Sequence, residues 1–280
     1  MENLTILAAF PGLLKEAISL FRKSIYRSFG VVTVGFAAMY LNFVAFLSIY
    51  RLFPVVATAL TFLFALFIYQ IFRLALIRSL AEDKGVMESY KFSLRKFKSY
   101  LSANFFSFFS VVGGLPVIIP GISFYHSYFL IPFIIASGDK NGVEASLRSR
   151  EYVSGYWWES LGRRLSILFL VVLAYILISL PSELIGPVWV GLANLALIYL
   201  AYPIIAAFDL SLFRNLAEKR SSLNSNPIRS GTASIPYILT GIGAALIILS
   251  LIYVSLSSSG VSAITSVLIY LSVIFTLFIF

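Results

Sequence analysis

Eight apolar stretches alternate with shorter polar segments along this chain, at 30–50, 53–76, 101–119, 122–138, 164–181, 186–210, 236–256 and 261–280. Most approach the roughly 20 apolar residues that a helix needs to cross a bilayer. The pattern predicts an all-α, polytopic membrane helix bundle of about eight transmembrane helices. Alternate connections are very short: Arg51 and Leu52, then Gly121, then Ser182 to Ile185, then Ser257 to Gly260. They pair the spans into hairpins, with Pro54, Pro116, Pro120, Pro181 and Pro187 at or near the turns.

The remaining connections are longer, and their apolar positions recur at helical spacing. Leu14, Ile18, Phe21, Ile25 and Phe29 form one stripe, with Lys15, Arg22, Lys23 and Arg27 away from it. Val86, Tyr90, Leu94, Phe97 and Leu101 form a second, opposed by Lys91, Arg95 and Lys98. Two structures satisfy such a pattern. A separate amphipathic helix lies at the headgroup boundary, apolar face down, or the next span extends into water as one helix. The first is the expected architecture: hairpins joined by amphipathic inner-face helices.

A third stripe, Ala145, Ser149, Tyr152, Val153 and Tyr156, is small and aromatic, which suits packing against other helices. Trp157 and Trp158 follow where interfacial anchors are expected.

The units repeat: amphipathic helix, span, turn, span. Arg78-Ser-Leu-Ala-Glu82 after the second span echoes Arg214-Asn-Leu-Ala-Glu218 after the sixth. Residues 1–220 read as a six-span domain, 221–235 as a flexible linker rich in Ser, Asn, Gly and Pro. Residues 236–280 read as an appended hairpin with Gly241 and Ala245 as its contact face.

Charge then orients the pattern. Of the 21 Lys and Arg residues, all but Arg51 fall on one side of the alternation. That bias predicts a multi-pass protein of the cell membrane with both termini cytosolic. Composition agrees, with 60% hydrophobic and 12% charged residues, against about 25% charged in soluble domains. The formal charge of +9 flanks apolar spans, so the lipid bilayer, through anionic headgroups at the cytosolic face, is the expected partner and nucleic acid is not. There is no Cys, which excludes disulfide and thiolate chemistry. Met1 to Leu14 has no basic leader, so the first span is expected to serve as the insertion signal.

Candidate chemistry is sparse. His126 is the single histidine, without Cys or acids at ligand spacing, and reads as a hydrogen-bonded structural residue rather than a metal ligand. Of 12 acids only Glu183 falls on the outer side. No catalytic residues, metal or cofactor are expected, and the chain does not read as an enzyme. Charges at membrane depth are costly and usually paired, which singles out Arg73 and Asp209, each five residues before the repeated Arg. They are expected either to pair across the repeat or to snorkel separately to the headgroups. Pro132 and Pro203 fall inside apolar runs and are expected to bend their helices.

Residues 120–158 carry the most distinctive motif: Pro120-Gly121-Ile122, then Phe129 and Pro132, then Ala145, Arg148, Ser149, Glu151, Gly155, Trp157 and Trp158. This stretch resembles the membrane domain of glycerophosphoryl diester phosphodiesterases and of its stand-alone integral membrane relatives. Arg150 stands where that motif has an aromatic residue, and Ser146 and Leu147 depart from its leucine-basic pair. The resemblance implies a helical membrane module without phosphodiesterase activity, which in the fused proteins belongs to a separate soluble barrel. The expected function is a non-enzymatic module that organises lipids or a partner protein. The competing expectation is a transporter or lipid-moving protein with a cavity between repeated hairpins.

Overall fold

A computed structural model describes residues 7–50, 54–114, 119–179 and 187–222. The appended hairpin at 236–280, the linker, Arg51, Glu183, Gly241 and Ala245 lie outside the described residues. Every element described is helical: α1 (Phe10–Tyr50), α2 (Pro54–Ala81), α3 (Val86–Gly114), α4 (Ile119–Ser127), α5 (Ile131–Ser137), α6 (Val143–Val153), α7 (Trp157–Ser179) and α8 (Pro187–Ser222). Four stretches among the described residues are long and apolar enough to cross a membrane: Phe10–Tyr50, Val56–Ala81, Trp157–Ile178 and Tyr199–Ser221. The chain is a helical membrane protein.

Prolines set several of these starts. Pro54 opens α2 and Pro187 opens α8, while Pro120 and Pro132 are the second residues of α4 and α5. First-turn N–H groups have no intrahelical acceptor, so a residue lacking one costs nothing there. Pro120 and Gly121 therefore lie inside the first turn of α4 rather than forming a turn. Pro132 begins a new helix rather than bending one that continues. Pro203 is the proline found inside a helix.

The separate interfacial helices expected at the first two stripes are not present. α1 runs unbroken over 41 residues, about 60 Å at 1.5 Å per residue, twice the thickness of a hydrocarbon core. α3 likewise joins the second stripe to the following apolar run in one 29-residue helix. An unbroken helix satisfies every backbone group internally, whereas a joint at the boundary would free several of them.

The long helices are consequently two-part. Towards the basic end they pack together, burying Leu13, Ala17, Val31 and Val32 of α1, Leu74 to Ile77 of α2, and Ala207 to Phe213 of α8. Towards the other end they expose apolar surface, although Asn42 of α1 still donates to the Thr61 carbonyl of α2 at 3.0 Å. Leu41, Phe43 and Leu47 of α1, Leu63 and Phe64 of α2, and Phe169, Val172 and Leu177 of α7 are all half exposed or more. Such surface is stable when lipid or another apolar surface covers it. Tyr90 of α3 donates its hydroxyl to the Val31 carbonyl at 2.8 Å and ties the second stripe to α1. Burial raises the pKa of that hydroxyl and keeps it a donor.

Gly35 marks the change from packed to exposed on α1. A Cβ at this position would stand 2.5 Å from the ring of Phe72 in α2. Gly35→Ala is expected to push that buried ring aside at a cost of about 1–3 kcal/mol. Thermal unfolding in detergent measures it. Gly12→Ala, which meets nothing within 4 Å, should leave the midpoint close to wild type.

Candidate functional site

The expected fourth span, 122–138, is interrupted. α4 ends at Ser127, a turn covers 128–130, and α5 begins at Ile131. All of α5 from Ile131 to Ala136 is buried within the protein. A helix broken inside a packed core needs other partners for the freed backbone groups, and α6 supplies them. Ser149 Oγ donates to the Ser127 carbonyl at 2.7 Å and accepts the Leu130 N–H at 3.2 Å. Arg78 Nη1 of α2 donates to the Ala136 carbonyl at 2.7 Å near the other end of α5, where a cation also suits the helix dipole.

The remaining motif residues complete this support. Ala145 and Ser149 are fully buried. Arg148 Nη1 lies 2.8 Å from Glu151 Oε2, and its Nε lies 3.5 Å from Asp139 Oδ2. Burial, with the Asp139 carboxylate beside it, raises the Tyr152 pKa and keeps its hydroxyl a donor to Asp139 at 3.2 Å. Gly155 adopts φ +87° between α6 and α7, a left-handed conformation natural to glycine. Arg220 of α8 donates to the carbonyls of Glu151 and Ser154 beside it. Trp157 packs edge-on against His126, 5.3 Å between centroids. Trp158, expected as an anchor beside it, is exposed.

A second polar region lies where α2, α3, α7 and α8 pass from the packed part to the exposed part. Asp209 of α8 accepts from Nε of Arg164 at 3.1 Å and from Nη2 at 3.4 Å. Both are buried, and the Arg164 guanidinium also lies over the Phe129 ring at 4.3 Å. Arg73 of α2 stands among Tyr100, Tyr69 and Tyr202, with Asp209 as a further electrostatic partner. Tyr202 donates to the Tyr69 hydroxyl at 3.0 Å, and the Asn104 amide donates to Gln70 at 3.2 Å. Arg73 and Asp209 thus belong to one cluster, but the salt bridge of Asp209 runs to Arg164. His126 is buried next to this cluster, with Nε2 2.8 Å from Ser160 Oγ and its ring stacked on Phe129.

Sequence reasoning missed Arg164, which it grouped with the basic inner segment, and the tyrosines. The available signal was the interruption of apolar runs by Tyr69, Gln70, Tyr100 and Asn104 at matching depth. Arg78 donates to the carbonyl of Ala136, and Arg214 to that of Ala81 at 3.4 Å, at the end of α2. No family model, no curated protein and no solved structure matches this chain.

Proposed function

We propose that this chain is a non-enzymatic membrane module, multi-pass with both termini cytosolic, whose basic end gathers anionic lipid headgroups. One observation carries this reading. Lys15, Arg22 and Lys23 on α1 and Lys91, Arg95 and Lys98 on α3 are all exposed, interleaved with the exposed apolar side chains Ile18, Tyr26, Met87 and Leu94 of the same helices. Each basic residue near an anionic leaflet contributes about 1 kcal/mol of attraction. Other charges are engaged in holding the fold together: Arg164 and Arg220 bridge helices, and Arg163 donates to the Leu7 and Ala8 carbonyls ahead of α1. The eight-span count, the repeated hairpins and the likeness of residues 120–158 to a membrane domain belong to this proposal.

The test uses the full chain in nanodiscs. Its thermal midpoint is expected to rise when phosphatidylglycerol replaces part of the phosphatidylcholine. Charge reversal at Lys91, Arg95 and Lys98 should remove most of that rise, and an equal rise in the reversed variant would sink the reading. A transporter or lipid-moving protein is the second reading, favoured by the polar cluster of Arg73, Arg164 and Asp209 inside the bundle. Lipid scrambling in proteoliposomes that is lost in Arg73→Gln would move the assignment to it.

A further inference from the structure

We propose that Glu159, Arg163 and Asn215 form a binding site for the main chain of a non-helical peptide segment that carries a leucine-sized side chain. In this structure the site is filled by the chain's own Leu7 and Ala8. The first argument is the hydrogen bonding. Both residues precede α1 and are not helical. The Leu7 N–H donates to Glu159 Oε2 at 3.1 Å, and the Ala8 N–H to Asn215 Oδ1 at 3.0 Å. Arg163 donates from Nη2 to the Leu7 carbonyl at 2.9 Å and from Nε to the Ala8 carbonyl at 2.7 Å. A segment that leads into a helix ordinarily turns such groups to water. Here α7 and α8 supply a side-chain partner for each of the four.

The second argument is that the grip is held in place by its own helix. Arg163 Nη1 donates to the Glu159 carbonyl at 3.0 Å and lies 3.4 Å from Glu159 Oε2. The planar guanidinium, so fixed, presents Nε and Nη2 as a fork to two successive carbonyls. Donors that are ordered before a ligand arrives lose little freedom on binding it.

The third argument is exchange. Bonds to the main chain are indifferent to sequence, so selection falls to the side chains. Leu7 is 2% exposed, whereas Ala8 is half-buried and Ala9 exposed. One apolar side chain is therefore enclosed. The Glu159 side chain is 39% exposed, so water reaches the site once the segment leaves, and a second segment of the same chemistry can take its place. No lipid enters this argument, and the site stands apart from the headgroup reading.

The test uses the full chain in detergent and a fluorescent, acetylated and amidated peptide of residues 4–9, read by anisotropy. Leu7→Asp in the protein should empty the site, because a carboxylate does not suit the buried position. That variant should bind the peptide saturably and at least about tenfold more tightly than wild type, whose own segment competes at high effective concentration. Adding Arg163→Met should weaken the binding by about tenfold or more, the loss of a two-pronged charged contact. A peptide N-methylated at its Ala8 amide cannot donate to Asn215 and should bind a few-fold more weakly to the unaltered Leu7→Asp chain. Charge reversal at Lys91, Arg95 and Lys98 in the same chain should leave peptide binding unchanged, so the two readings fail separately. In wild type, the Leu7 and Ala8 amides should exchange hydrogen at least about tenfold faster than those of Leu74 to Ile77, through release of the segment alone. If the substituted chains do not fold, this exchange decides. Equal protection of the two sets of amides overturns the proposal, as does a folded Leu7→Asp chain that binds no peptide or binds it indifferently to Arg163→Met and to N-methylation.

Discussion

Asp209→Asn is expected to be the most damaging conservative substitution in the described part of the molecule, costing about 3–5 kcal/mol. Asn keeps the size of the side chain and an acceptor oxygen but removes the charge. Arg164, 8% exposed at its side chain, then keeps a guanidinium in the core without this carboxylate, and Arg73 loses the carboxylate that it shares. One substitution removes the carboxylate shared by the buried Arg164 and the partly buried Arg73. Thermal unfolding in detergent and the yield of monodisperse protein measure the effect.

The partner substitution separates this account from a simple two-body salt bridge. Arg164→Met removes one cation but leaves Asp209 balanced by Arg73, so it should cost clearly less than Asp209→Asn. Equal losses in the two variants would show that Arg73 has no part in the balance. The double variant Arg164→Met, Asp209→Leu should recover only part of the loss from Asp209→Asn, because Arg73 still lacks its carboxylate. In an isolated ion pair, replacement of both partners by apolar residues would be close to neutral.

The sequence read well wherever one physical constraint dominated. Apolar runs such as 30–50 and 53–76 are helical through their described residues, and their outer parts, from Phe36 to Ile49 on α1 and from Val56 to Phe64 on α2, carry the exposed apolar side chains, while Val31, Val32 and Leu74 to Leu76 are buried. The small, aromatic face of Ala145, Ser149, Tyr152, Val153 and Tyr156 is buried throughout, as its composition implied. Reading failed where two structures satisfy the same pattern. An amphipathic stripe leading into a span looks the same whether the helix bends at the headgroups or continues, and only packing against neighbours such as the Tyr90–Val31 contact selects continuity in α1 and α3. Composition also conceals the break at 128–130. Tyr128, Phe129 and Leu130 extend an apolar run, and what makes the break stable is a serine hydroxyl 19 residues further along. Asp209 was recognisable as a costly charge, but its geometry depends on Arg164, which periodicity assigns to an ordinary basic segment.

That serine provides a second large effect, and a control within the same helix. Ser149→Ala deletes the one group that meets both the Ser127 carbonyl and the Leu130 N–H. Leu130 lies in the turn between α4 and α5 and is 0% exposed, so water cannot take over. Two buried backbone groups left without partners should cost about 2–5 kcal/mol. Ser146 lies three residues earlier on α6, is equally buried, and donates to the Ala103 carbonyl at 3.2 Å. Ala103 sits in the middle of α3, where its carbonyl already accepts an intrahelical bond, so Ser146→Ala orphans nothing and should cost about 1 kcal/mol. The comparison is made by thermal unfolding, with hydrogen exchange at α5 as the local readout. Protection of the Ile131 to Ala136 amides should fall in Ser149→Ala and persist in Ser146→Ala. Equal losses in both would mean that the break is held by packing of its apolar side chains rather than by its hydrogen bonds. If the loss is specific to Ser149, the small residues on α6 are there to let a helix be interrupted inside an apolar bundle, and the interruption is what brings Phe129 under Arg164 and His126 against Ser160.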